Sequence, residues 1–114
     1  MDRYIVLKSP GESPVTKEHP EDIVSIETLR AGINKQWLEV RPTYIGGVYV
    51  DVWCDEEGLL HDLDINFWHP EVRQFIVGPV VVCGTDREGN SIPLTKEMAD
   101  KTVEFLNKNA SITE

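Results

Sequence analysis

Ile76-Val77-Gly78-Pro79-Val80-Val81-Val82-Cys83-Gly84 is a nearly continuous apolar run closed by glycine. A short run of β-branched residues with no polar alternation reads as a buried strand. Pro79 carries no N–H, so an edge or a bulge is expected there. Downstream, Thr85 to Asn90 is a turn containing Gly89. Thr95 then opens a helix as N-cap, with Glu97 favourable near the positive end of the dipole. Ala99, Val103 and Leu106 make one helical row and Met98, Thr102 and Phe105 its neighbour. Together they form a stripe wide enough to pack on a sheet.

Upstream of the run, Val48-Tyr49-Val50-Asp51-Val52-Trp53 alternates, with the three valines on one face. Trp37 to Arg41 reads as a strand and Pro42 to Gly47 as its exit loop. Asp55-Glu56-Glu57-Gly58 reads as a hairpin-type turn, with Gly58 supplying positive φ. Leu59-Leu60 and Leu63 to Asn66 are short extended pieces, and Pro70 is placed to open a short helix over Glu71 to Phe75. Nearer the start, Tyr4 to Leu7 is a β-rich run, Ser9 to Pro14 a loop, and Val15-Thr16 a short strand. Ser25 caps a short helix whose stripe is Ile26, Leu29 and Ile33, with Gly32 and Asn34 suited to its end. The fold class expected is α+β: a small, mainly antiparallel sheet with a short helix in the N-terminal half and a C-terminal helix packed on it. Residues 1–114 read as one domain, ordered over about 3–107, with 108–114 a flexible tail.

The chain has 114 residues, enough to bury a core without disulfides or a structural metal. The apolar fraction of 40% and charged fraction of 27% are those of a globular protein. No apolar run approaches a membrane span, and the N-terminus lacks signal-peptide architecture. A cytoplasmic location is therefore expected, with Cys54 and Cys83 as reduced thiols. The net charge of −9 argues against general binding to nucleic acid or anionic membrane, which needs clustered Lys and Arg.

That charge is concentrated. Between Tyr44 and Val72 stand Asp51, Asp55, Glu56, Glu57, Asp62, Asp64 and Glu71, with no Lys or Arg, beside Tyr49, Trp53, Phe67 and Trp68. Complementary charge on a partner relieves such self-repulsion and speeds association, and aromatic residues are enriched at binding hot spots. Asp55, Glu56, Glu57, Asp62, Asp64 and Trp68 are the candidate partner-binding residues. The plainer reading is the solvated face of a hairpin.

His61, Asp62, Asp64 and His69 are residue types that ligate zinc, manganese or iron. Their spacing matches no compact metal motif, and no cofactor is expected. Asp62, Asp64 and Asn66 imitate the start of a calcium loop, but Phe67 and Arg73 stand where that loop needs Gly and Glu. A second near-match from Asp86 has Ser91 at the glycine position. Cys54 or Cys83 with His61 would be the only nucleophile–base pairing, and nothing local activates either thiol. Gly46-Gly47 and Gly84 to Gly89 miss the phosphate-loop patterns. An enzyme is thus not the expected class.

The order of features carries a resemblance. Leu29-Arg30-Ala31-Gly32-Ile33, Trp37-Leu38-Glu39-Val40 and Asp55-Glu56-Glu57-Gly58 come first. Leu63-Asp64-Ile65-Asn66, the run Ile76 to Gly84, and Leu94-Thr95 follow. In that order, over about residues 4 to 106, the chain resembles the phage- and mobile-element-encoded family known as domain of unknown function 3846. Members often carry Gly-Gly where this chain has Asn34-Lys35-Gln36, and the loop Pro42 to Gly47 is longer here. The resemblance implies a fold and an accessory role in a bacterial host. It supplies no catalytic residues.

The leading expectation is a non-enzymatic binder or inhibitor of a host protein acting through its acidic surface, a DNA mimic being one version. The alternatives are a small-ligand binder for a nucleotide-like molecule, drawing on Arg30, Lys35, Arg41, Arg73 or Arg87, and a metal-dependent enzyme at His61, Asp62, Asp64 and His69. A homo-oligomer through an exposed strand edge stays open.

Overall fold

The computed structural model describes residues 2–34, 37–57 and 61–110. In chain order the elements are β1 (Tyr4–Lys8), β2 (Val15–Glu18), α1 (Ile26–Ile33), β3 (Leu38–Ile45) and β4 (Val48–Asp55). Then come β5 (Ile65–His69), β6 (Gln74–Val77), β7 (Val80–Thr85), β8 (Ser91–Ile92) and α2 (Lys96–Ala110). The fold is α+β. A six-stranded antiparallel sheet runs β2-β1-β7-β4-β3, with β8 also paired to β7, and β5 and β6 form a separate two-stranded sheet.

The apolar run does not make one strand. It is divided between the two sheets: Ile76-Val77 end β6, Gly78 turns with φ 76°, and Val80 begins β7 at the centre of the large sheet. Gly78 and Pro79 are the corner, where a missing N–H costs no ladder hydrogen bond. β7 is flanked on both edges by β1 and β4 and covered on both faces. Val6, Val52 and Val82 share one face, packing against Met98, Ala99 and Leu106 of α2 and Phe67 of the small sheet. Val81 and Cys83 face the other way, against Leu29 and Ile33 of α1. Burial on both faces explains the absence of polar alternation.

Ser25 caps α1 by accepting from the Thr28 N–H at 3.2 Å, and Asn34 ends it in the left-handed conformation at φ 62°. Ile26 does not join the buried stripe: it is exposed, and only Leu29 and Ile33 are buried. Gly32 is not the helix end. It lies within α1, where an added Cβ would stand 2.5 Å from Val81 Cγ2, so its role is close approach to β7.

Three further expectations are corrected. Pro42 lies inside β3, which continues to Ile45. β3 is an edge strand, where a residue without N–H is tolerated. Gly46 and Gly47, at φ 60° and 81°, make the two-residue turn to β4, as a type I′ turn requires. The hairpin expected to follow β4 at Asp55 is absent among the described residues: β4 pairs with β3 and β7, and the chain goes on to the other sheet. Glu56 and Glu57 lie in a turn; Gly58 and the extended piece Leu59-Leu60 fall outside the described residues. Glu71 to Phe75 is not helical, because Pro70 to Arg73 form the turn of the β5–β6 hairpin and Arg73 closes it at φ 56°. Trp68 and Phe75 pair across that hairpin, edge to face at 4.8 Å.

Thr95 caps α2, accepting from the Met98 N–H at 3.2 Å. The helix runs to Ala110, past the last residue of the apolar rows.

Candidate functional site

The two sheets leave a cleft of about 640 Å³ between them. Its floor is the α2-side face of the β3–β4 pair. Glu39 and Arg41 are two residues apart on β3, and Cys54 stands opposite Glu39 on β4, so the three share a face. One wall is β6 with Trp68 and Phe75, and the other is the turn carrying Asp55, Glu56 and Glu57.

Of the candidate partner-binding residues, Asp55, Glu56, Glu57 and Trp68 come together here. Asp62 and Asp64 do not. Both are exposed outside the cleft, Asp62 at φ 55°, and the Asp64 carbonyl accepts the Gly78 N–H. Asp55 is not a surface acid. It is buried, with one carboxylate oxygen 2.9 Å from His61 Nδ1 and the other accepting from the Glu57 N–H at 2.9 Å. It ties down the turn that presents Glu56 and Glu57, which are exposed.

The weak metal candidates are dispersed. His61 sits against Asp55 and, at 3.7 Å, Glu57. His69 is fully buried, with Nε2 2.7 Å from Thr43 Oγ1. Among the described residues, no group of three His, Cys, Asp or Glu side chains is placed to hold a metal.

The thiols are held protonated. Burial, with Glu39 and Asp55 adding to it, pushes Cys54 up to about 11. Burial with Asp51 pushes Cys83 up to about 12. Neither is an activated nucleophile at neutral pH.

Sequence reasoning missed how Arg41 and Arg73 converge. They lie 32 residues apart and line the same cleft. Arg41 pairs with Glu39 at 3.4 Å, while its Nε is enclosed with no hydrogen-bond partner among the described residues. The alternation Glu39-x-Arg41 on a strand was the one local signal; nothing local announces Arg73.

Burial holds the His69 imidazole below its ordinary value near 6.5, which favours the neutral ring in the folded protein. A depressed folded value means that the unfolded chain takes up the proton first. Its contribution to stability is complete above about pH 6.5 and is lost as pH falls toward the folded value. Urea midpoints at pH 7.5 and 5.5 should therefore drop further in the native protein than in His69→Gln. Equal drops would remove His69 from the acid response.

Fold and cleft define a small α+β protein with an opening between a six-stranded and a two-stranded sheet. The chain belongs to the family described as domain of unknown function (DUF3846), whose family model matches residues 1–107. No curated protein and no solved structure matches it. None of its described helices is long and apolar enough to cross a membrane.

Proposed function

We propose that this protein acts without catalysis by binding another protein, taking a lysine or arginine side chain of that partner into the cleft. The observation that carries this reading is the grouping of Glu56 and Glu57, both exposed, beside Trp68 and Phe75 in one cleft. Carboxylates satisfy the charge, and an aromatic face adds attraction for a cation. A net charge of −9 strengthens encounter with a basic surface. An accessory or inhibitory role in the cytoplasm of a bacterial host is the setting in which we place it.

The test is affinity capture from a bacterial lysate with three proteins: native, Glu56→Lys/Glu57→Lys, and Asp62→Lys/Asp64→Lys. The two variants make the same change of charge, one inside the cleft and one outside it. A stoichiometric protein should be captured by the native chain and the Asp62/Asp64 variant, and fall at least about tenfold with the Glu56/Glu57 variant. Loss with Asp62/Asp64 alone would move the binding face away from the cleft.

A second reading rests on Arg41 and Arg73. The enclosed Arg41 Nε and an exposed Arg73 also suit a small planar anion stacked on Trp68. Arg73→Glu separates the two readings, because it abolishes anion binding and strengthens binding of a basic partner.

A further inference from the structure

Among the described residues no strand is added to the β6 edge of the small sheet, and that edge borders the cleft. Gln74, Phe75, Ile76 and Val77 all line it. Successive residues of a strand point to opposite faces, and four in a row line this opening, as they do for an opening along a strand's edge. Among the described residues β6 pairs with β5 alone. The direction of its backbone groups follows from the register. Ile65 is opposite Val77, and the Gly78 N–H donates to the Asp64 carbonyl at 2.8 Å, one residue beyond that pair. A pair flanked this way keeps its own N–H and C=O turned away from the partner strand. The irregularity of the hairpin lies between Ile65 and Phe67 on β5, so the period of two is unbroken along β6 and Phe75 is turned outward as Val77 is. Among the described residues no hydrogen bond reaches these outward groups.

We propose that the partner binds by strand addition: an extended segment alternating basic and apolar residues pairs with β6 and converts the two-stranded sheet into a three-stranded one. This rests on the binding role proposed above and specifies its mode. Main-chain hydrogen bonds to Phe75 and Val77 supply affinity, and alternate side chains supply specificity. One set of side chains lies over Phe75, whose ring is exposed. The other set faces the turn, where Glu56 and Glu57 stand exposed, and the floor, where Glu39 is paired with Arg41. Charge selects a partner over a second copy of this chain, because a copy would bring its own Glu56 and Glu57 and a net charge of −9 to the same place.

The probes are a heptapeptide alternating lysine and valine, its glutamate counterpart, and the lysine peptide N-methylated on alternate residues in each of the two phases. Binding is followed by titration and by amide hydrogen exchange. The lysine peptide should bind and slow exchange of the Phe75 and Val77 amides at least tenfold. One methylated phase and the glutamate peptide should bind at least tenfold more weakly. Val77→Pro removes an outward N–H while sparing the hairpin's own ladder, as edge prolines do; it should keep the native melting curve and lose the peptide. Binding with unchanged exchange at Phe75 and Val77, tolerant of both methylations, would overturn strand addition and leave the cleft as a site for a basic side chain. No binding of the lysine peptide overturns the strand mode even if lysate capture by Glu56 and Glu57 succeeds. Slow exchange at these amides in concentrated protein without peptide would make the occupant a second copy, against the proposal.

Discussion

Phe67→Ala is expected to lose about 3–5 kcal/mol of unfolding free energy, the range for removing a large buried aromatic side chain. Phe67 has no exposed surface and stands where three elements meet. Its ring packs edge-on against Phe105 of α2 at 5.9 Å and alongside His69 at 6.2 Å, in the cluster that also holds Val52, Val82 and Leu106. Truncation leaves a void between the small sheet and the helix, and the facing strands are too firmly paired to close it. Against a total stability of about 5–15 kcal/mol for a domain of ordinary size, that is a large share. Urea denaturation measures it, with Phe67→Leu as a milder companion expected to lose about half as much. A loss below about 1 kcal/mol for the alanine variant would mean that the small sheet is not packed on the core.

Asn66→Leu is expected to be nearly as costly, about 2–4 kcal/mol, by a different route. Asn66 is the residue that β5 gains at its irregularity. It is buried, and its amide donates at 2.8 Å to the carbonyls of both Lys8 and Gly78. Leucine keeps the volume and removes both donors, leaving two enclosed carbonyls unpaired. Each costs about 1–3 kcal/mol, and partial relaxation keeps the sum below the upper limit. Lys8 is bound into the same junction, its Nζ donating to the Asn66 carbonyl at 3.2 Å. The check is the urea midpoint together with amide exchange at Gly78, whose N–H bonds to Asp64 on the β5 side. A change confined to a few tenths of a kcal/mol would show that water replaces the side-chain amide without penalty.

The parts of this fold legible in the sequence are those with local causes. Ser25 and Thr95 cap helices because a hydroxyl at that position serves its own first turn. The valines of β4 and the stripe of α2 announce their faces by period. What was not legible is what depends on distant neighbours. The run from Ile76 to Gly84 declares burial, but its division between two sheets depends on what each half meets: Phe67 for Ile76, and Val6 and Val52 for Val82. Pro42 is a loop signal until one knows that β3 is an edge. The site shows the same limit. Asp55, Glu56, Glu57 and Trp68 could be named from charge and aromaticity, and they do share a cleft. Asp62 and Asp64 carry the same signal and lie outside it, since net charge along a segment says nothing of direction. Arg41, Arg73 and the edge of β6 reach the cleft only through the tertiary fold.

The large sheet ends at β3, and that edge is closed at neighbouring outward positions. Tyr44 gives its N–H to the Glu71 carboxylate at 2.7 Å, and Pro42, two residues earlier on the same side, has none to give. A strand edge recruits other chains through its unused donors, and edges so blunted resist polymerisation. Glu71 belongs to the hairpin turn of the small sheet, so the small sheet guards the large one. Loss of that hairpin's packing would therefore also uncover an eight-residue strand, with exposed Tyr44 on it and Tyr49 beside it, as a seed for aggregation. Variants that loosen the hairpin are thus liable to fail by insolubility before they fail by unfolding.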